Sequence, residues 1–340
     1  MFQEWMKQTD QRPPMLLPTV PALILAPMEG VTDAPMRALQ GETGAFTYAV
    51  SEFLRISQVV PPASVFNRHI PELRRGGFTS TGFPVQVQLL GGHAGRLAEA
   101  AVLAHSLGAK AIDMNFGCPA RTVNRHDGGA TLLQYPKRIR EIVRAIRDAL
   151  PAHVPISAKL RLGWDSVDAI HENADMAAEG GAAWLTIHAR TRLQGYAPPV
   201  NWKLIGQVRE RLGIPVVANG DIWTIENFRQ CREETGCQHF MLGRGALADP
   251  RLAHRVAREL GIGRGEPDAS AIDGLKQLRR FVECAQAVDV HKPERTIYRL
   301  KQWLNMAATF GNFAHFESIK RARSIEELFE CLRNRAIVGA

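Results

Sequence analysis

Several short segments carry side chains or backbone shapes that could do chemistry. In Asp113-Met114-Asn115-Phe116-Gly117-Cys118-Pro119 a thiol stands between glycine and proline, with the Asn115 amide close by. A free cysteine is most often a small buried hydrophobe. Here the flanking Gly and Pro place it in a loop, where a thiol near a basic group can serve as acid or nucleophile. Lys159 lies inside the apolar run Ser157-Ala158-Lys159-Leu160. Lysine is rarely buried without a partner, so an inward Lys159 implies an anion or a reduced ring to neutralise. Gln88, in Gln86-Val87-Gln88-Leu89-Leu90-Gly91-Gly92, offers an acceptor and donors together. That suits a ring with adjacent imide and carbonyl groups, and equally a polar layer inside a barrel. Ala26-Pro27-Met28-Glu29-Gly30 reads as a shaped loop whose main chain could lie against a flat ligand. His188-Ala189-Arg190-Thr191, Asn219-Gly220-Asp221 and Gly243-Arg244-Gly245 complete the series.

These residues need elements that bring them together. Apolar runs at Leu23–Ala26, Phe46–Val50, Val85–Leu89, Ala111–Met114, Ile156–Lys159, Trp184–His188, Val216–Ala218 and Phe240–Leu242 read as strands. Helix-period stretches such as Gly95–Leu107, Pro136–Leu150 and Ser166–Glu179 lie between them, while residues 55–84 are irregular. Strands alternating with helices argue for parallel neighbours. A doubly wound open sheet is the rival, but eight such units favour a closed (β/α)8 TIM barrel. In that fold chemistry sits at the C-terminal strand ends, which is where the polar segments fall. The loops after the seventh and eighth strands commonly form a phosphate site, and an N-G-D followed by a G-R-G supplies glycine backbone with Arg244 to add charge. No His/Asp/Glu cluster has metal spacing, and no Ser-His-Asp arrangement is evident. No G-x-G-x-x-G opens a helix, so a phosphorylated flat cofactor means FMN more readily than NAD.

Residues 1–20 hold Pro13, Pro14 and Pro18 without a clear period, which predicts a poorly ordered leader with a short helix at Phe2–Lys7. The barrel is expected over 21–262. A Gly/Pro/Asp-rich boundary around Gly261–Ala269 opens a smaller all-α domain over 263–340, with helices at Ile272–Val288, Pro293–Ala308 and Ile325–Arg335. The net charge of +8 raises the expectation of a polyanionic partner. Between His291 and Arg323, Lys292, Arg295, Arg299, Lys301, Lys320, Arg321 and Arg323 outnumber Glu294 and Glu317. Arg295, Arg299 and Gln302 share a helix face that could meet phosphates, or could simply be solvated. The five cysteines are odd in number with no C-x-x-C pair, so neither a disulfide framework nor a zinc site is expected, and a reducing cytoplasm is. No apolar run spans a bilayer, the N-terminus lacks signal-peptide order, and nothing demands more than a monomer.

From Leu23 to the end the chain resembles the tRNA-dihydrouridine synthases, and within them the C-type subfamily. The resemblance rests on Ala26-Pro27-Met28-Glu29-Gly30-Val31, Glu52-Phe53-Leu54-Arg55, Val87-Gln88-Leu89-Leu90-Gly91, Asn115-Phe116-Gly117-Cys118-Pro119 and Lys159-Leu160-Arg161-Leu162-Gly163-Trp164. It continues through His188-Ala189-Arg190-Thr191, Gln194-Gly195-Tyr196, Ala218-Asn219-Gly220-Asp221-Ile222-Trp223, Gly243-Arg244-Gly245 and Arg299-Leu300-Lys301-Gln302-Trp303-Leu304. It implies tightly bound FMN, NADPH as reductant and tRNA as partner, with no membrane or metal. It implies Pro27, Met28, Glu29, Gln88, Lys159, His188, Asn219, Gly220, Asp221, Gly243 and Arg244 as cofactor contacts. Cys118 is implied as the proton donor and Asn115 as a substrate contact. The reaction would be hydride addition at C6 of uracil and proton delivery at C5, on a base extruded from the RNA. Arg55, Tyr196, Arg299, Lys301 and Lys320 are implied as tRNA contacts, with uridine 16 as target. Lys320 stands where the subfamily pattern has an arginine, which keeps the charge but loses the planar fork. Two other readings remain open: a flavin barrel acting on a small pyrimidine, which would not need the basic helical domain, and a non-catalytic RNA-binding barrel, which would not need Cys118.

Overall fold

The computed structural model describes residues 15–263, 274–288 and 292–336. Eight parallel strands form its centre: β1 (Ala22–Leu25), β2 (Tyr48–Val50), β3 (Val85–Leu90), β4 (Ile112–Asn115), β5 (Ile156–Arg161), β6 (Trp184–His188), β7 (Val216–Asn219) and β8 (His239–Leu242). β1 pairs with β8 on one side (Leu23↔Phe240) and with β2 on the other (Ile24↔Tyr48), and β2 joins β3 (Ala49↔Val85), so the sheet closes into a barrel. A two-residue strand, Leu54–Arg55, extends along the end of β3.

Helices α1 (Ala34–Glu42), α2 (Ala63–His69), α3 (Ala94–Ser106), α4 (Pro136–Ala149), α5 (Ile170–Glu179), α6 (Trp202–Arg211), α7 (Ile225–Thr235) and α8 (Pro250–Glu259) follow the strands in turn. Local chemistry sets their ends. Asp33 caps α1 by accepting from Met36 N, with proline in the first turn. Thr224 and Asn227 form a reciprocal capping pair on α7, which stops at left-handed Gly236.

Side chains alternate along each strand, and the two faces have different neighbours. Leu23 and Leu25 belong to the layer between barrel and helices. Ala22 and Ile24 point the other way and pack with Tyr48, Trp184, Val217 and Met241 as the apolar floor inside the barrel. Above the floor the interior turns polar, with Gln86, Gln88, Asp113, Asn115 and Ser157 all buried.

Helices α9 (Gly274–Gln286), α10 (Pro293–Phe310) and α11 (Ile325–Ala336) form the C-terminal unit, with no strand among its described residues. Phe281, Leu300, Trp303 and Leu328 share a core with Met36 and Leu39 of α1, so this unit is fastened to the barrel by apolar packing. Trp303 Nε1 donates to Leu247 O at 2.9 Å, and Arg280 pairs with Glu42.

Strand positions agree with the sequence reading to within about two residues at each end, as expected for buried β-branched runs. The irregular stretch 55–84 holds α2, a 3-10 turn at Pro71–Arg75 and an antiparallel bridge from Phe78 to Pro84. The leader needs correction at its inner end. Leu16 is buried in the barrel-floor cluster and Met15 packs against it, so the chain is anchored at these two residues rather than loose. The expected Phe2–Lys7 helix and most of the boundary at 261–269 lie outside the described residues.

Candidate active site

A cleft of about 490 Å³ opens at the C-terminal ends of the strands. Its lining includes Pro27, Met28, Glu29, Asn115, Cys118, Lys159, His188, Tyr196, Asn219, Gly220, Asp221, Gly243 and Arg244, which come from widely separated parts of the chain. That volume is typical of a cofactor site. Gln88 lies one layer lower and is fully buried.

Cys118 is half-buried, and burial pushes its thiol above the ordinary range; Arg161 and Arg55 oppose the shift and Glu29 adds to it. The thiol therefore keeps its proton at neutral pH. This suits an acid rather than a thiolate nucleophile. Its loop is tightly held. Asn115 Oδ1 accepts from Gly117 N at 3.0 Å and from Cys118 N at 2.9 Å. Arg161 Nε donates to Gly117 O at 2.8 Å, and Ala130 N donates to Cys118 O at 3.1 Å.

Across the cleft Lys159 Nζ donates to Asn219 Oδ1 at 3.0 Å. Desolvation, helped by Arg161, lowers this lysine to about 8, so it gains from an anionic neighbour. His188 is buried beside it. Desolvation, then Arg161, Lys159, Arg190 and Arg244, hold its ring well below the ordinary histidine range, so it is neutral. Its Nδ1 is buried with no hydrogen-bond partner, a polar atom that an added ligand could satisfy. Glu29 is raised to about 7 by burial and by Glu52, which itself accepts from Gly30 N at 2.5 Å.

Backbone shape supplies the remaining wall. Gly220 has φ +120°, and a Cβ there would approach Ala189 N to 3.2 Å, so only glycine fits comfortably. Asp221 is also left-handed, with φ +50°, and takes a bidentate pair from fully buried Arg190. Arg244 reaches the same carboxylate at 3.4 Å. Its guanidinium lies 4.6 Å from the Tyr196 ring, 4.9 Å from Trp223 and 5.2 Å from Phe310 of α10. Trp223 and Phe310 stack at 4.6 Å. Among the described residues, no group of three His, Cys, Asp or Glu side chains could hold a metal.

Residues 24–330 match the family described as dihydrouridine synthase (Dus). The chain belongs to the dihydrouridine synthase family. Among its relatives is a protein of Pseudomonas putida named tRNA-dihydrouridine(16) synthase, 45% identical over 84% of this chain and 87% of its own length. Proteins of the same name from Haemophilus influenzae (41% identical, 90% and 97% covered) and Neisseria meningitidis (40% identical, 90% and 93% covered) are also similar.

For a dihydrouridine synthase the outer residues fall less simply than the cleft. Tyr196 stands at the rim, 56% exposed, with the Arg161 guanidinium 5.3 Å from its ring. Arg55 lies on the short strand beside β3, close enough for its charge to act on Cys118. Lys320 is at the surface, paired with Glu317, and Lys301 donates to Ala322 O. Arg299 is different. It is buried, pairs with Asp33 at 2.9 Å, and donates to Gly30 O, Val31 O and Gln302. The face holding Arg295, Arg299 and Gln302 is thus turned partly onto the loop after β1. Arg299 as placed cannot meet a phosphate, whereas Arg295 remains largely exposed.

Arg161, Arg190 and the Trp223–Phe310 pair carry weight that the sequence reading did not assign to them. Arg161 had a readable signal, since it follows Lys159 by two positions on one strand and must share its face. Phe310 had none, because its partner lies in another part of the chain.

Proposed function

We propose that this chain reduces the C5=C6 bond of a uridine in tRNA, at position 16 of the D-loop, with tightly bound FMN and with NADPH as reductant. One observation carries the reading: a thiol that keeps its proton faces the same cleft as Lys159, His188 and the Gly243-Arg244 turn. FMN, when bound, supplies the hydride for C6 of the base. Lys159, His188 and Asn219 would hold its ring, and Gly220, Gly243 and Arg244 its phosphate, with Pro27, Met28 and Glu29 forming the adjoining wall. Gln88 supports the ring from the layer below.

The protein's own task is to hold a base and move one proton. Asn115 and Tyr196 position the uracil, and Cys118 gives its proton to C5 as enolate character develops there. Arg55, Tyr196, Arg295, Lys301 and Lys320 face the RNA, and Arg299 shapes the loop beneath them. In this reading residues 21–262 are the catalytic unit and 263–340 the tRNA-binding unit. The enzyme works as a monomer in the cytoplasm, where its substrate is, and uses no metal.

The test is anaerobic reduction of the purified protein with NADPH, followed by flavin reoxidation on adding unmodified tRNA. Fast reoxidation with dihydrouridine at position 16 supports the proposal. Dihydrouridine elsewhere removes the position. A response only to a small pyrimidine removes tRNA as the substrate.

A further inference from the structure

Inside the barrel, below the cleft, one carboxylate is buried with no basic side chain bonded to it. Asp113 is 2% exposed on β4. Ser157 Oγ donates to its Oδ1 at 2.5 Å, and Gln88 Nε2 donates to its Oδ2 at 2.7 Å. Gln88 Oε1 in turn accepts from Asn115 Nδ2 at 2.9 Å. Asn115 Oδ1 is left to accept from the main-chain N–H groups of Gly117 and Cys118, at 3.0 and 2.9 Å. Ser157, Gln88 and Asn115 are all buried. A continuous chain of hydrogen bonds therefore runs from the barrel interior to the cysteine loop.

Each amide in this chain could be turned end for end, since its oxygen and nitrogen are nearly the same size. The ends of the chain decide. An ionised carboxylate only accepts, so Gln88 must present its NH2 to Asp113 and its oxygen to Asn115. Asn115 must then present its NH2 to Gln88 and its oxygen to the loop. At the far end two backbone N–H groups can only donate, so they demand that same orientation.

We propose that Asp113 is a positioning residue that fixes the direction of the Gln88–Asn115 relay and so holds the Cys118 loop in place for proton delivery. The inference rests on the reading of Cys118 as the acid. Burial raises Asp113 to about 6, against opposing help from Ser157, Gln88 and Lys159, so it is still mostly ionised at neutral pH. An apolar residue at this point of β4 would leave the two loop N–H groups alone to set the direction of both amides. If Gln88 and Asn115 both turned, the Asn115 NH2 would face the N–H groups of Gly117 and Cys118, and the loop would lose two bonds and gain a repulsion.

An isosteric exchange tests this. In Asp113→Asn the new NH2 can be accepted by Ser157 Oγ or, if the relay turns, by Gln88 Oε1, so position 113 no longer dictates the direction. When Asp113→Asn is combined with Gln88→Glu, the introduced carboxylate accepts both from that new NH2 and from Asn115, so the original direction at the loop returns with the charge unchanged. The readout is residue-resolved amide exchange at Gly117 and Cys118 in the full chain, with and without added FMN. Exchange does not pass through turnover, so failure here leaves the proposed reaction standing, and tRNA-driven flavin reoxidation is scored separately. The single variant should exchange at least about tenfold faster at both amides while β5 and β6 keep their protection. The double variant should return to within about threefold of the parent. Unchanged exchange in the single variant, or no recovery in the double, overturns the proposal. Should the single variant fail to fold, the double decides alone: parent-like exchange supports the relay, and anything else removes it.

Discussion

Arginines at the barrel mouth and basic residues on the outer face of the helical unit carry the same charge in different surroundings. Arg161 and Arg190 are buried and donate to main-chain oxygens and to Asp221, so each fixes a loop of the cleft. Lys320 and Arg295 are at the surface, with one short or long ionic contact each. Arg299 belongs by sequence to the second group and by burial to the first. Charge matters most to the fold where water is excluded and least where water competes. An exposed cation contributes little to stability and stays available to a partner. Substitutions at the mouth and on the helical face test that division.

The largest effect is expected at the thiol. Cys118→Ala should slow tRNA-driven flavin oxidation by roughly 10²–10⁴-fold, the usual contribution of a positioned acid. Affinity for tRNA, measured by filter binding, should stay within about threefold. A comparable fall in affinity would mean that the residue shapes the RNA site instead of supplying a proton.

Next comes the contrast between Arg299 and Lys320. Arg299→Ala leaves Asp33 buried and the Gly30 and Val31 carbonyls without their donor, and should cost about 3–5 kcal/mol in urea unfolding. Arg299→Lys should recover only part of that, since one ammonium cannot replace a three-way fork. Lys320→Ala should change stability by under about 1 kcal/mol. It should weaken tRNA binding and lower the slope of log affinity against log salt by about one. If the stability of Lys320→Ala fell as far as that of Arg299→Ala, the distinction between buried and surface charge here would be wrong.

The same contrast explains what was legible beforehand. Strand ends are readable because a barrel strand has one register and its residues alternate, which places Lys159 and Asn219 both at the mouth; that they bond to each other is seen only in the structure. The cysteine loop was readable because Gly117 and Pro119 bar regular structure around the thiol. The period of helix α10 gives its face but not what the face packs against, so the sequence leaves Arg299 either meeting phosphates or solvated, while its partner, Asp33, lies 266 residues away. For Gln88 the residue itself fits a polar barrel layer while the resemblance implies a cofactor contact, and its burial on Asp113 agrees with the layer. Leu16 looked like leader because a single apolar residue has no period to read.

The smallest effect is a fraction of a proton, and it bears on whether the cleft was built for an anion. Lys159 falls from 10.5 to about 8 because burial and Arg161 disfavour its charge. Its folded value lies below its unfolded value, so between about pH 8 and 10 the unfolded chain binds more protons, and this group adds stability as pH rises. An anionic ring beside Lys159 opposes this shift and draws the proton back. Anaerobic binding of reduced FMN, whose ring is anionic at pH 8, to flavin-free protein should therefore take up roughly half a proton through this residue. Calorimetry in two buffers of different ionisation enthalpy measures that uptake, and Lys159→Met subtracts the protons bound by the flavin itself. Equal uptake in parent and variant would show that Lys159 faces no developing or resident negative charge. The mouth would then be polar for structural reasons alone, as the buried side of Arg299 is.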